Sequence, residues 1–229
     1  MALRTDLGYA GGFETRPYGG GAGLGPGLGC RTRGLQGPDP RDTLAWTLPG
    51  LGEHLSEHEN PPVSTGRGDD GTTTLLGSGR LGKGDPRIVV LGDVDEASSF
   101  LGLARAEAEG ELGELLLELQ RLLYRIMGDV AMPKEDNFVG EDDLALVDRA
   151  LEDWRGRTEI PKEFVVPGES RLGALLDVAR SVVRRAERSL VAAGYAEAHP
   201  YAVRVANRLS DLLFVAARNA DGGRTLSKG

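Results

Sequence analysis

Residues 172–190 read LGALLDVARSVVRRAERSL and carry two contrasting faces at helical spacing. Residues three or four apart are neighbours on a helix, so Arg180, Arg184 and Arg188 share one face with Glu187. Guanidiniums this close repel one another unless an anion neutralises them, and their forked donors match the oxygens of a polyphosphate. The alternative is a solvated charged face. The opposite face is apolar and predicts packing against a core: Leu172, Leu175, Leu176, Ala179, Val182, Val183, Ala186 and Leu190.

A second polar stripe lies on the helix predicted for residues 200–219, whose first turn suits Pro200. Two adjacent antiparallel helices with facing polar stripes predict a buried polar pocket inside a bundle. Asn and Asp side chains in such a pocket satisfy arginines or accept hydrogen bonds from ribose and adenine. The members of this stripe are Arg204, Asn207, Arg208 and Asp211.

Three further helical patterns precede these two. The first begins near Val94, the second runs from Glu111 to Met127, and the third runs from about Glu141 to Arg155. The helix of residues 170–193 ends at Gly194. Five helices with short connections predict an all-α five-helix bundle, with one short strand at Thr73–Leu76. The inward positions are Val94, Ala97, Leu101, Ala104, Ala108, Leu112, Leu115, Leu116, Leu119, Leu122, Leu123, Ile126, Leu144, Val147, Leu151, Trp154, Leu209, Leu212, Leu213 and Ala216.

The composition excludes several classes of protein. The 229-residue chain has a net charge of −8, which disfavours nucleic acid and anionic membranes as partners. No apolar run approaches the roughly 20 residues that cross a bilayer, and no secretory signal is recognisable, so we expect a cytoplasmic protein. Cys30 is the only cysteine, which excludes a disulfide framework. His54 and His58 have metal-ligand spacing but lie in a polar segment, which favours solvation over zinc binding.

The first 62 residues differ in character from the rest. They are rich in glycine and proline, lose much entropy on ordering and offer little apolar surface, so we expect a disordered tail. One alternative is a transit peptide. Another is that the start codon is placed too early and that Val63 is the true start. Residues 63–229 are expected to form the single folded domain.

The glycine- and threonine-rich segment from Thr65 to Thr74 predicts a loop that cradles phosphate, because glycines let backbone amides converge. Its Asp69 and Asp70 are suited to holding a magnesium ion on such phosphates; a flexible hinge is the alternative. The neighbouring Gly77–Lys83 has the spacing of a P-loop. However, Gly84 stands where that motif requires Ser or Thr, so we reject it.

Two more features have both a structural and a functional interpretation. In the structural interpretation, Asp95 and Glu96 open the first helix, where the helix dipole favours carboxylates. In the functional interpretation, Asp95 pairs with an arginine of the fourth helix. Phe164 lies in an irregular loop, either as a lid over the core or as a wall of a large ligand site.

In their order, these motifs resemble the PduO-type cob(I)alamin adenosyltransferases from about Ser64 to Ala220. The resemblance is carried by residues 65–73 (TGRGDDGTT), 85–87 (DPR), 92–96 (GDVDE), 164–168 (FVVPG), 184–188 (RRAER) and 207–211 (NRLSD). It implies a homotrimer of five-helix bundles with active sites between subunits. It also implies transfer of the 5′-deoxyadenosyl group of ATP to cobalamin, with magnesium accompanying ATP and triphosphate as the other product.

The resemblance further implies roles for individual residues. Phe164 would lie under the corrin ring and displace its lower ligand from cob(II)alamin, which eases reduction to cob(I)alamin. Asp95 and Arg180 would form an ion pair that shapes the site, and Arg208 and Asp211 would support it. The residues implied to bind ATP are Thr65, Gly66, Asp70, Thr72 and Lys83 from the loop, and Arg184, Glu187, Arg188 and Asn207 from the helices.

The sequence departs from the family pattern at two places. Ser98 stands where the family usually has an asparagine, and Glu169 replaces a second glycine behind Phe164. Possible partners are an electron-donating reductase and an adenosylcobalamin-dependent enzyme. A non-catalytic ATP-binding trimer that acts as a sensor, and a cobalamin carrier, are the alternative functions.

Overall fold

The computed structural model describes residues 64–76, 79–132 and 137–222. The tail predicted for residues 1–62, with Cys30, His54 and His58, and the possible start at Val63 lie outside these residues. The described chain forms a two-stranded antiparallel hairpin followed by six helices. The elements are β1 (Thr72–Leu75), β2 (Gly79–Gly82), α1 (Pro86–Glu107), α2 (Gly110–Ala131), α3 (Glu141–Gly156), α4 (Arg171–Ala192), α5 (Tyr195–Ala198) and α6 (Pro200–Asp221).

The five long helices confirm the prediction of a mainly helical fold, and two short features were not predicted. One is the second strand, which pairs with the predicted one so that Thr72 lies opposite Gly82. The other is α5, a single turn between α4 and α6. It follows Gly194, whose φ of +86° is the left-handed conformation that glycine adopts freely and that ends helices.

Helix α1 begins at Pro86, so the start predicted near Val94 is wrong. Asp85 caps the helix by accepting a hydrogen bond from the amide N–H of Arg87 at 3.0 Å, and Pro86 occupies the first turn. The glycine- and aspartate-containing stretch before Val94 is therefore helical, although it has the composition of a loop. Asp95 lies well inside the helix, which removes the dipole argument for its placement.

Helix α4 is central: it packs on α1 and α6, while α2 packs on α1 and α3 packs on α6. The predicted inward residues form one core, with Leu115, Leu151, Leu172, Leu175 and Ala108 only partly buried. At the surface, Arg185 ties α4 to α1 through ion pairs with Asp93, at 3.0 Å, and with Glu96. No helix in the described part of the chain has the length and apolar character needed to span a membrane.

Candidate functional site

The polar stripes of α4 and α6 lie beside each other, because the two helices pack together along their apolar faces. They form an open edge of the subunit, and the prediction of a buried pocket is wrong. Arg184, Arg188, Arg204, Arg208 and Asp211 are exposed, and Arg180, Glu187 and Asn207 are half-buried. Full burial of several like-charged guanidiniums without a bound anion would carry a large desolvation penalty, so solvent access is the expected arrangement.

Asn207 is the centre of a hydrogen-bond chain across three helices. Its Nδ2 donates to Oε1 of Glu187 on α4 at 3.0 Å, and its Oδ1 accepts from Nη1 of Arg208 at 2.9 Å. The guanidinium of Arg208 also pairs with Asp148 on α3, with Nε 3.1 Å from Oδ1. Three predicted site residues therefore hold one another in place.

A cleft of about 350 Å³ opens beside this chain of hydrogen bonds. Its charged lining consists of Arg155, Arg180, Arg184 and Asp211, so three guanidiniums face one carboxylate. Among the described residues, Arg184 has no ion-pair partner, and Arg188 donates only to the backbone carbonyl of Arg184, at 3.0 Å. The cleft therefore has an excess of positive charge and free donors, as an anion site requires.

A second cleft of about 400 Å³ lies on the other side of Arg180. One wall is the connection between α3 and α4, residues 157–170, here called the Phe164 loop. Phe164 itself is 86% exposed, which is unusual for a phenylalanine and contradicts its interpretation as a lid over the core. Arg180 and Phe214 line both clefts, so the two are adjacent.

A buried ionic network that the sequence analysis missed lies beneath the second cleft. Arg218 pairs with Asp177 at 2.5 Å and with Asp221 at 2.9 Å, and all three side chains are almost completely buried. Asp177 also pairs with Nε of Arg180 at 3.1 Å. Asp177 is on the apolar face of α4, and this break in the pattern was the one available signal.

The predicted phosphate loop is an ordered turn before the hairpin. Asp70 accepts hydrogen bonds from the backbone N–H of Thr72 at 3.0 Å and from its hydroxyl at 2.7 Å. Arg80 on β2 pairs with Asp70 and also donates to the carbonyl of Arg67, at 2.7 Å. The hydrogen bonds from Thr72, followed by the nearby Arg80, lower the pKa of the Asp70 carboxyl below its ordinary value. Asp70 and Thr72 thus stabilise the loop itself.

Thr65 and Gly66 begin this loop, and Lys83 lies beside it. Gly66 has a φ of +66°, and its carbonyl accepts from the N–H of Asp69 at 3.2 Å. A Cβ atom at Gly68 would be 3.3 Å from Nζ of Lys83, so the amine is next to the glycine turn. Lys83 follows a strand rather than opening a helix, which agrees with the rejection of a P-loop.

Within one chain, the predicted residues fall into two separate groups. Neither cleft is lined by Lys83 or by residues of the predicted phosphate loop, which begins at Thr65. Asp95 is exposed on α1 and has no ion pair among the described residues, whereas Arg180 pairs with Asp177. The predicted pair of Asp95 with Arg180 is therefore not formed inside a single subunit.

No group of three or more His, Cys, Asp or Glu side chains able to hold a metal ion occurs in the described ranges. Asp70 is already engaged by Arg80 and Thr72, which leaves Asp69 as an isolated carboxylate. Among the described residues, the magnesium ion predicted at Asp69 and Asp70 therefore lacks a complete protein ligand set.

The chain is similar to known proteins over most of its described length. The family model described as cobalamin adenosyltransferase matches residues 63–220. A cobalamin adenosyltransferase of Cupriavidus metallidurans is 39% identical over 178 residues, covering 76% of this chain and 94% of its own length. A corrinoid adenosyltransferase of Bacillus subtilis is 38% identical over 169 residues, covering 69% of this chain and 87% of its own.

Solved structures show the same fold. A phenylalanine-to-alanine variant of a PduO-type ATP:corrinoid adenosyltransferase from Lactobacillus reuteri, complexed with cobalamin and ATP, superposes with a TM-score of 0.67. It is 29% identical, and the match covers 73% of this chain and all of that one. An arginine-to-lysine variant from the same organism, complexed with ATP, gives a TM-score of 0.66 at 30% identity, over 72% of this chain and all of its own. The chain belongs to the cobalamin adenosyltransferase family.

Proposed function

We propose that the protein transfers the 5′-deoxyadenosyl group of ATP to reduced cobalamin. The cobalt of cob(I)alamin supplies an electron pair to the ribose C5′ carbon, a cobalt–carbon bond forms, and the C5′–oxygen bond breaks. The electron pair of that bond leaves with triphosphate. This reaction needs no protein nucleophile, so the protein's tasks are to bind, orient and neutralise.

The observation that carries this proposal is the unpaired positive charge beside the first cleft. Arg184 and Arg188 have no ion-pair partner among the described residues and share one edge of α4, where they are suited to bind the triphosphate as it leaves. Asn207 and Glu187 follow on the same edge with oriented amide and carboxylate groups. They are suited to hold the ribose and adenine, with Arg208 and Asp211 in support.

The second cleft is suited to the corrin substrate. An exposed phenyl ring on an irregular loop offers a flat apolar surface to the lower face of the corrin ring. A phenyl ring there excludes the donor atom of the lower ligand, which leaves cob(II)alamin four-coordinate and easier to reduce. Phe164 provides this surface, and Arg180 separates it from the nucleotide cleft. A nucleotide sensor would have no use for such an exposed ring, which favours catalysis over the sensor.

The two separate residue groups support a site shared between subunits of a homotrimer. In this arrangement, the loop with Thr65, Gly66 and Lys83 contacts the phosphates of ATP bound to the arginine edge of its neighbour, while Asp70 and Thr72 keep the loop in shape. Asp95 has no ion-pair partner among the described residues of its own chain, which leaves it available to pair with Arg180 of the partner subunit. Magnesium would be held by the phosphates, where its charge assists triphosphate departure.

Mixed trimers test the shared site directly. Lys83→Ala removes the loop amine, and Arg184→Ala removes the central guanidinium, so each pure variant is expected to be nearly inactive. In a trimer that contains both, one interface pairs an intact loop with an intact arginine edge. Random co-assembly in equal amounts therefore restores about a quarter of wild-type activity, from the cyclic arrangement of the subunits. A mixture no more active than the pure variants would reject a site between subunits.

The reaction also requires other proteins. Cob(I)alamin is a strong reductant, so a reductase must deliver the electron to bound cob(II)alamin. The product is the cofactor of adenosylcobalamin-dependent enzymes, one of which is the expected recipient.

A further inference from the structure

A continuous chain of polar contacts runs from the Phe164 loop to the arginine between the clefts. It begins at Ser170, the last residue of the loop, whose hydroxyl donates to Oδ1 of Asp221 at 2.9 Å. Oδ2 of Asp221 accepts from Nε of Arg218 at 3.2 Å, and Nη2 of Arg218 donates to Oδ2 of Asp177 at 2.5 Å. Asp177 then accepts from Arg180 through its other oxygen.

The chain of polar contacts is closely packed where it meets the Phe164 loop. Ser170 caps α4 by accepting from the N–H of Gly173 at 2.9 Å, and its own N–H donates to Asp221 at 3.2 Å. A side chain at Gly173 would overlap the carboxylate of Asp221 and approach Oγ of Ser170 to 2.8 Å. Glycine at this position therefore lets α4, α6 and the loop meet at one point.

The burial of this network calls for an explanation. Asp177, Arg218 and Asp221 have side-chain exposures of 4%, 3% and 1%, so one guanidinium and two carboxylates are removed from water. Apolar residues of similar volume would often support a fold equally well, whereas buried charges fix a unique arrangement in some proteins. Arg180, the fourth charge, is 28% exposed and is the one that reaches both clefts.

We propose that this network couples the position of the Phe164 loop to that of Arg180, and that Asp177, Arg218 and Asp221 are positioning residues. The inference rests on the proposed function, in which the loop carries the corrin-facing ring and Arg180 separates that ring from ATP. A shift of the loop is transmitted through Ser170 and Asp221 to Arg218, and from there through Asp177 to Arg180. Occupation of one cleft thereby orders the other.

Substitutions at the two ends of the network test the coupling. Ser170→Ala alters the loop end and lies outside both clefts, and Asp177→Asn alters the arginine end without a change of size. We expect Ser170→Ala to weaken binding of magnesium ATP, measured by calorimetry, by about fivefold, and Asp177→Asn to speed hydrogen exchange of the amides of residues 162–169. Both should lower the fraction of cob(II)alamin that becomes four-coordinate with ATP. The fold-reduction of this fraction in the double variant should be smaller than the product of the two single fold-reductions.

Two controls keep the outcome decisive. Glu118→Gln removes a carboxylate that pairs with Arg121 on the exposed face of α2, away from the loop and both clefts, and it should change none of these quantities. Ser170→Thr keeps the hydroxyl and should restore ATP affinity. If Asp177→Asn does not fold, Ser170→Ala and Ser170→Thr carry the test.

Two results would overturn the proposal. One is that Ser170→Ala binds ATP as the wild type does while Asp177→Asn leaves loop exchange unchanged. The other is that exchange rises equally in α2 and α3, which would make the network a general support of the fold. A wild-type protein that fails to adenosylate cobalamin would instead reject the proposed function, and calorimetry and exchange would still decide the coupling.

Discussion

Asn207 on α6 donates a hydrogen bond from Nδ2 to Oε1 of Glu187 on α4, at 3.0 Å. This bond joins the two polar stripes at the level of Arg184 and Arg188. It requires a donor on one helix and an acceptor on the other, so it also fixes which way the amide of Asn207 faces. The geometry of the edge that carries Arg184 and Arg188 therefore depends on one amide group.

Asn207→Asp should weaken ATP binding by about tenfold or more, because two carboxylates would face each other where a donor met an acceptor. Calorimetric titration with magnesium ATP measures the loss. Asn219→Asp is the matched control: Asn219 is an exposed asparagine of the same helix that donates to Thr158 at 3.1 Å. Equal ATP affinity of Asn207→Asp and wild type would show that this bond does not shape the site.

Phe164→Ala should leave the melting temperature and ATP affinity near those of the wild type, because the ring is 86% exposed. Activity on cob(II)alamin with a reductant should nevertheless fall by orders of magnitude, since the lower ligand would no longer be displaced. Val166→Ala, a half-exposed apolar residue of the same loop outside the cleft lining, should stay active. Full activity of Phe164→Ala would contradict the assignment of the second cleft to cobalamin.

Gly173→Ala should destabilise the fold by about 1–3 kcal/mol, because the new methyl group would collide with Asp221 and the N-cap hydroxyl of Ser170. Gly156→Ala, at the end of α3, meets no neighbouring atom within 4 Å and should change stability by less than about 1 kcal/mol. Urea denaturation of both variants measures the difference. Equal free energies of unfolding would mean that the junction of α4 and α6 is looser than described.

Asp129 gives a prediction about pH. Burial raises the pKa of its carboxyl above the ordinary value of 3.8, although the amide of Phe138 donates to it at 2.6 Å and His199 is 3.8 Å away. The fold therefore prefers the protonated form, and the stability this group contributes is complete below pH 3.8 and lost as pH rises through the raised pKa.

Asp129→Asn removes this titration and keeps the acceptor for Phe138. The melting temperature of the variant relative to the wild type should therefore increase from about pH 4 to about pH 8. Hydrogen bonds lower the carboxyl pKa values of three other residues, Asp70, Asp85 and Glu111. Their contributions to the pH dependence of stability are the same in both proteins and cancel in the comparison. A difference that is constant or shrinks with pH would show that burial does not raise the pKa of the Asp129 carboxyl.

The five long helices follow from the sequence because each carries an apolar stripe at helical spacing. The sequence pattern predicts too late a start for α1, because Gly92 and Asp93 have low helix propensity. The Asp85 cap and Pro86 decide where the helix begins. The arginine edge was recognised, but its exposure was not, because spacing gives the face of a helix and not what covers that face.

The ionic network could not be predicted, because Asp177 and Arg218 are on different helices and only packing brings them together. Asp177 was visible only as a polar residue on an otherwise apolar face. The separation of Asp95 from Arg180 is likewise a property of the assembled fold. The resemblance implies a pair between the two residues, whereas in the single chain Arg180 pairs with Asp177 instead.

Anaerobic mixing of the purified protein with cob(I)alamin and magnesium ATP tests the proposed reaction most directly. The visible spectrum should change to that of a light-sensitive cobalt–carbon bond, with one triphosphate released for each adenosylcobalamin formed. ATP binding without a cobalt–carbon bond, or release of phosphate and ADP in place of triphosphate, would contradict adenosyl transfer by this protein.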